Sequence, residues 1–203
     1  MNRRFHSLIL IAFVIVALVS CGGGGGAPGS TGTDNTGIII QSVDILANGG
    51  NSSIDVYQNP LACGTFPDLK PETPLTPNLA IITLMATNAN AEVSTAQFPA
   101  SIEQCTITYV KANEDPAAPV LEKLTIYPNC SFKADAPTAC TMMLIDIDRK
   151  HQYWDARQNG KNIPAEYPTH YIARYSCIYT NSFGKSGTFQ IETDIWLADW
   201  LSC

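Results

Sequence analysis

Charge is scarce in this chain: Asp, Glu, Lys and Arg make up only 15% of its 203 residues. No basic cluster is longer than Arg149-Lys150. A protein that holds a phosphate backbone needs a basic stripe, so no nucleic acid partner is expected. Histidine is rarer still, with three residues, and neither His151 nor His170 falls in a zinc spacing. Cys-x-x-Cys and Cys-x-x-Cys-His are absent, so no metal, haem or other cofactor is expected. There is no Gly-x-Ser-x-Gly elbow. Gly184-Lys185-Ser186 lacks the first glycine of a phosphate loop, because Tyr179 stands there, and the segment reads as a hairpin turn. Nothing places a nucleophile beside either histidine, and no carboxylate pair suggests glycoside cleavage. No catalytic residue is assigned, and the chain is not expected to be an enzyme. A spanning helix is also missing: the longest apolar run, Leu8 to Val19, is about a dozen residues, and a bilayer needs about 20.

What is present begins with the environment of that run. Arg3 and Arg4 precede it, and Leu18, Val19, Ser20 and Cys21 close it before a glycine tract. Charged start, apolar middle and small-residue end are the order of an export signal peptide. Leu18-Val19-Ser20-Cys21 resembles the lipobox of bacterial lipoproteins. The resemblance implies cleavage before Cys21, a diacylglyceryl group on its sulfur, and anchoring by palmitate-class acyl chains. Gly22, in place of an aspartate, implies transfer to the outer membrane, with the protein facing the periplasm or the cell surface. The alternative is an ordinary secretory signal whose cysteine joins a disulfide. Each buried methylene contributes about 0.8 kcal/mol, so several chains hold the protein without any membrane-binding surface on the domain.

The expected organisation is a leader over 1–20, Cys21 and a Gly/Ser/Thr tether over 21–36, and one domain over 37–203. The tether has too few large apolar groups to fold, and about fifteen such residues reach roughly 20 Å. The leader holds two of the twelve basic residues and none of the eighteen acidic ones, which leaves a formal charge of −8 on the remainder. With Cys21 set aside, Cys63, Cys105, Cys130, Cys140, Cys177 and Cys203 remain, an even number that reads as three disulfides in an oxidising compartment.

The domain reads as strands. Gly37 to Leu46 is β-branched and apolar, and Ser53 to Tyr57 either resumes that strand or turns back as a hairpin. Five prolines between Asn59 and Pro77 exclude a central strand or helix there. Leu79 to Asn88, Ile102 to Lys111, Val120 to Tyr127 and Thr141 to Ile147 follow as strands. In the second of these Cys105, Ile107 and Tyr109 share one face. Asp148 is positioned to cap a short helix carrying Tyr153, Trp154 and Ala156, ended by Asn159-Gly160. The chain closes on a hairpin, with Tyr171, Ala173, Tyr175, Cys177 and Tyr179 alternating before the turn and Phe189, Ile191, Thr193, Ile195 and Leu197 after it.

About seven strands with one short helix predict an all-β antiparallel sandwich. Tyr175-Ser176-Cys177 resembles the tyrosine-corner strand of immunoglobulin-like domains, and Thr106-Ile107-Thr108-Tyr109 is similar to the third strand of fibronectin type III domains. The core tryptophan usual before the third strand is missing. If strands alternate up and down, Cys130 and Cys140 close a short loop at one pole, Cys105 and Cys177 lie on apolar strand faces nearer that pole, and Cys63 and Cys203 share the other. The expected pairs are Cys130 with Cys140, Cys105 with Cys177, and Cys63 with Cys203. Cys177 with Cys203 would demand a reach of roughly 40 Å along the hairpin.

Asp146 and Asp148, two apart, suit either calcium ligation or a strand end with a helix cap. Trp154, Trp196 and Trp200 suit either an aromatic platform for a sugar ring or packing under loops. A tethered, stapled sandwich with no reaction site reads as a docking or scaffold module whose partner is another envelope protein, bound through loops or a free strand edge. The competing reading is a glycan- or small-ligand-binding module.

Overall fold

The computed structural model describes residues 36–57, 74–89, 95–159 and 164–199. Cys21, Cys63, Trp200 and Cys203 lie outside them, and with them the leader, the tether and the Cys63 with Cys203 pairing. Nine strands and one helix are defined in the described residues. They are β1 (Ile38–Ala47), β2 (Ser53–Asp55), β3 (Asn78–Asn88), β4 (Ala100–Lys111), β5 (Leu124–Ile126), β6 (Cys130–Phe132), β7 (Thr138–Ile145), α1 (Ile147–Gln158), β8 (Thr169–Thr180) and β9 (Ser186–Ala198).

Period-two alternation builds the larger sheet. In β8 Tyr171, Ala173, Tyr175, Cys177 and Tyr179 are all buried, and the strand pairs with β9 without a slip from Thr169 opposite Leu197 to Thr180 opposite Ser186. The turn between them is held by Asn181, whose Oδ1 accepts from the backbone N–H groups of Phe183 and Lys185. Gly184 takes a φ of 74° there, a conformation that side-chain-bearing residues disfavour. The sheet runs β2-β9-β8-β4-β5, with β6 also on β4, and faces a smaller sheet ordered β1-β3-β7. The result is an all-β sandwich of immunoglobulin-like order, in which the last strand, its hairpin partner and β4 form one sheet and the first strand the edge of the other.

Four local outcomes depart from the expectations. Ser53 to Asp55 neither extends β1 nor folds back on it; after a turn at Asn48–Gly50 it crosses to the other sheet and pairs parallel with Trp196–Ala198. Val120 to Tyr127 yields only the three paired residues of β5, because Pro119 and Pro128 bound the segment and Leu121 turns into the core while Val120 stays exposed. The helix cap is Asp146 rather than Asp148: its backbone is extended and its carboxylate accepts the Arg149 N–H and pairs with the Arg149 guanidinium at 2.7 Å. This accounts for Asp146, while Asp148 sits in the first helical turn, where the helix dipole favours an acid. The Tyr175 hydroxyl reaches across the sandwich to the Met143 carbonyl instead of to a nearby corner.

That last bond belongs to a set. Tyr109 Oη donates to the Leu144 carbonyl at 2.8 Å, Tyr175 Oη to Met143 at 2.9 Å, and Tyr171 Oη to Pro119 at 2.7 Å. Tyr153 on α1 shares a 2.6 Å hydrogen bond with Thr169. Burial raises all four phenols above their ordinary value. Each ring thus fills core volume while its hydroxyl satisfies a buried partner. The disulfide between Cys130 on β6 and Cys140 on β7 ties the two sheets on this same flank, and the one between Cys105 and Cys177 joins β4 to β8 at directly opposed positions. Lys150 of α1 is 2% exposed, and its Nζ donates to the Thr76 carbonyl at 2.6 Å. Burial lowers that ammonium to about 8, with Asp55 acting in the opposite direction.

Candidate functional site

The other flank, where β1 approaches β9, is built differently. β9 has one neighbour, β8, along most of its length. Trp196 N–H donates to the Ser52 carbonyl and the Ala198 carbonyl accepts from Val56, so the even-numbered residues of β9 direct their backbone groups away from β8. Among the described residues β2 meets this edge only at Trp196–Ala198. Upstream, Gln190, Glu192 and Asp194 present the same backbone parity, and no strand among the described residues is paired to them.

Beneath that edge the core is incompletely covered. Val43 and Ile45 of β1 stand opposite the fully buried Leu84 and Ile82 of β3, so they face inward, yet both are only half-buried. Ile191 of β9, opposite buried Tyr175, is likewise half-buried. These three line a groove of about 490 Å³ with Asp44, Arg174, Gln190 and Glu192. A second hollow of about 300 Å³ continues along β1 and β9, lined by Ile45, Leu46, Ala47, Gly50, Ser52, Thr193, Asp194 and Trp196.

The charged groups along this groove are paired across β8 and β9. Arg174 Nε lies 3.0 Å from Glu192, both side chains about half exposed, a geometry worth roughly 0 to 1 kcal/mol. His170 Nε2 lies 2.7 Å from Asp194, and the imidazole stacks on Trp196 at 4.3 Å with the rings 7° from parallel. Asp44 extends the acidic side onto β1.

No family model, no curated protein and no solved structure matches this chain. What the groove accepts therefore follows from its own chemistry.

The tryptophans do not converge. Trp196 borders the groove with one face on His170. Trp154 is stacked on Tyr57 at 4.4 Å, and the Arg157 guanidinium lies 5.5 Å from the Trp154 ring and 4.1 Å from Tyr167. That cluster docks α1 beside the end of β2. Trp200 lies outside the described residues. His151 is exposed on α1, and among the described residues no three His, Cys, Asp or Glu side chains gather as a metal site. The residues that define the groove, Val43, Asp44, Ile45, Arg174, Ile191 and Glu192, were not singled out in the sequence. The alternation in the last hairpin assigns Ile191 and Glu192 to opposite faces, but only the strand order makes β9 an edge.

Proposed function

We propose that the protein is an exported lipoprotein, attached to the outer membrane through Cys21, whose sandwich is a non-catalytic docking module for another envelope protein. The partner lends an extended segment to the free edge of β9, continuing the row that β2 begins at Trp196. The observation that carries this reading is the outward backbone of Gln190, Glu192 and Asp194, which pairs with no strand among the described residues, above three half-covered aliphatics. An edge of this kind offers main-chain hydrogen bonds to an added strand and pockets to its alternate side chains. Attachment rests on the lipobox resemblance and the tether. Among the described residues no helix is long and apolar enough to cross a membrane.

Two experiments test the two halves. Cys21→Ser should release the protein from the membrane fraction and block processing; a variant that stays bound and processed removes the anchor. A photo-crosslinking side chain at Gln190 in the membrane-attached protein should give a discrete adduct that Glu192→Pro abolishes, while the same probe at Glu103 on the outer face of β4 gives none. Indifference to position would count against strand addition.

A glycan-binding module is the second reading, favoured by Trp196 along the smaller hollow. It requires that Trp196→Ala abolish binding on a glycan array; silence of the unaltered protein on that array ends it.

A further inference from the structure

The two faces of the free edge differ in chemistry, and that difference describes what would fill it. A strand laid against Gln190, Glu192 and Asp194 sends successive side chains to opposite faces. On the inner face they would meet Val43, Ile45 and Ile191, which are half-buried for want of a neighbour. On the outer face they would meet Glu192 and Asp194 of β9, both exposed. Arg174 is engaged by Glu192 and His170 by Asp194, so the outer rim carries more negative than positive charge.

We infer that the occupant of this edge is an extended segment of about five residues in which aliphatic and basic side chains alternate. The inference rests on the strand-addition reading above and adds the chemistry of the partner. Aliphatic groups complete the open end of the core, and Lys or Arg at the intervening positions lies beside the carboxylates of Glu192 and Asp194. A second copy of this chain is a poor occupant, because antiparallel pairing of two β9 edges would set Glu192 and Asp194 against their own counterparts, and like charges opposite one another destabilise a sheet. The same acidic rim protects the edge from self-association while leaving it open to a basic strand.

The test uses the full-length protein in detergent and three capped seven-residue probes: alternating Lys and Val, alternating Glu and Val, and alternating Thr and Val. The lysine probe should bind about tenfold tighter than the glutamate probe at low salt, with the gap closing as salt is added. Amide exchange at Gln190, Glu192 and Asp194 should slow on binding. Glu192→Lys combined with Asp194→Lys should invert the order of the probes; if that variant does not fold, Glu192→Gln combined with Asp194→Asn should close the gap. Equal binding of all three probes at this edge would overturn the charge assignment and leave strand addition standing. Binding of none would remove both.

Discussion

On the flank where β4, β5 and β6 face β7, the sheets are joined by large aromatic rings whose hydroxyls reach backbone carbonyls, and by the disulfide between Cys130 and Cys140. On the flank where β9 faces β1, the sheets are tied at one end, where the Tyr179 hydroxyl and the Asn181 amide bond Thr36 just before β1, but no disulfide joins them among the described residues, and further along Val43, Ile45 and Ile191 remain half-covered. The comparison separates two ways of closing one core. A buried hydroxyl is costly unless satisfied, so a tyrosine commits both strands it joins to one separation. Aliphatics carry no such obligation, and an edge closed only by them can admit another strand. Directional bonds and a cross-link are therefore concentrated on the β7 side of the sandwich, and half-covered aliphatics on the β9 side.

The largest test of this division is alkaline titration. Tyr109, Tyr171 and Tyr175 keep their protons in the folded protein well above the pH at which the unfolded chain loses them, near 10. Above that value the folded state binds more protons, so stability falls with pH, by about 1.4 kcal/mol per unit for each tyrosine and about 4 for the three. Lys150 acts in the opposite sense at lower pH. Its folded value of about 8 lies below the unfolded one near 10.5, so the unfolded chain holds the extra proton between them and stability rises. Denaturant midpoints against pH should show a shallow rise from pH 8, then a steep fall beyond 10, and Lys150→Met should remove the rise alone. A flat profile above pH 10 would break the claim that tyrosines seal the β7 flank.

Next in size, replacing Cys130 and Cys140 together by alanine should cost about 2 to 3 kcal/mol, because the bridge closes a short loop in the unfolded chain and holds the sheets on the sealed side. Thermal unfolding without reductant reads this directly. Tyr175→Phe keeps the ring and orphans the Met143 carbonyl, so a loss of about 1 to 2 kcal/mol is expected in a urea titration. The smallest effect belongs to the open flank. Ile191→Ala should cost about 1 kcal/mol, below the 2 to 5 kcal/mol usual for a fully buried isoleucine, because its side chain is only half-covered. A loss as large as that of a core residue would show the β9 flank to be as closed as its counterpart.

Much of this architecture was legible in the residues. The last hairpin alternates so regularly that it assigns Tyr171 through Tyr179 and Phe189 through Leu197 to the inner face, and β8 and β9 bury all of them except Ile191 and Thr193, which are half-buried. Ile191 belongs to that face too, but its partial exposure could not be read, since exposure depends on whether a neighbour lies beyond the strand. The cap was displaced by two residues because Asp146 and Asp148 are equally suited by type, and only the backbone path shows which carboxylate meets the Arg149 amide. Ser53 to Asp55 gave no sign of changing sheets, as a three-residue strand has no periodicity to read.

Taken alone, the sequence determined what depends on neighbours along the chain: the strand faces, the turn at Asn181 to Lys185 and the presence of one helix. These follow from local sterics and alternation, which act over a few residues. Only the tertiary structure decided which strands form the sheet edges, where each tyrosine hydroxyl found its acceptor, and that Val43 and Ile45 of β1 would border one groove with Ile191 and Glu192 of β9. Those outcomes depend on which strands become neighbours, and that choice is made by burying the whole core at once.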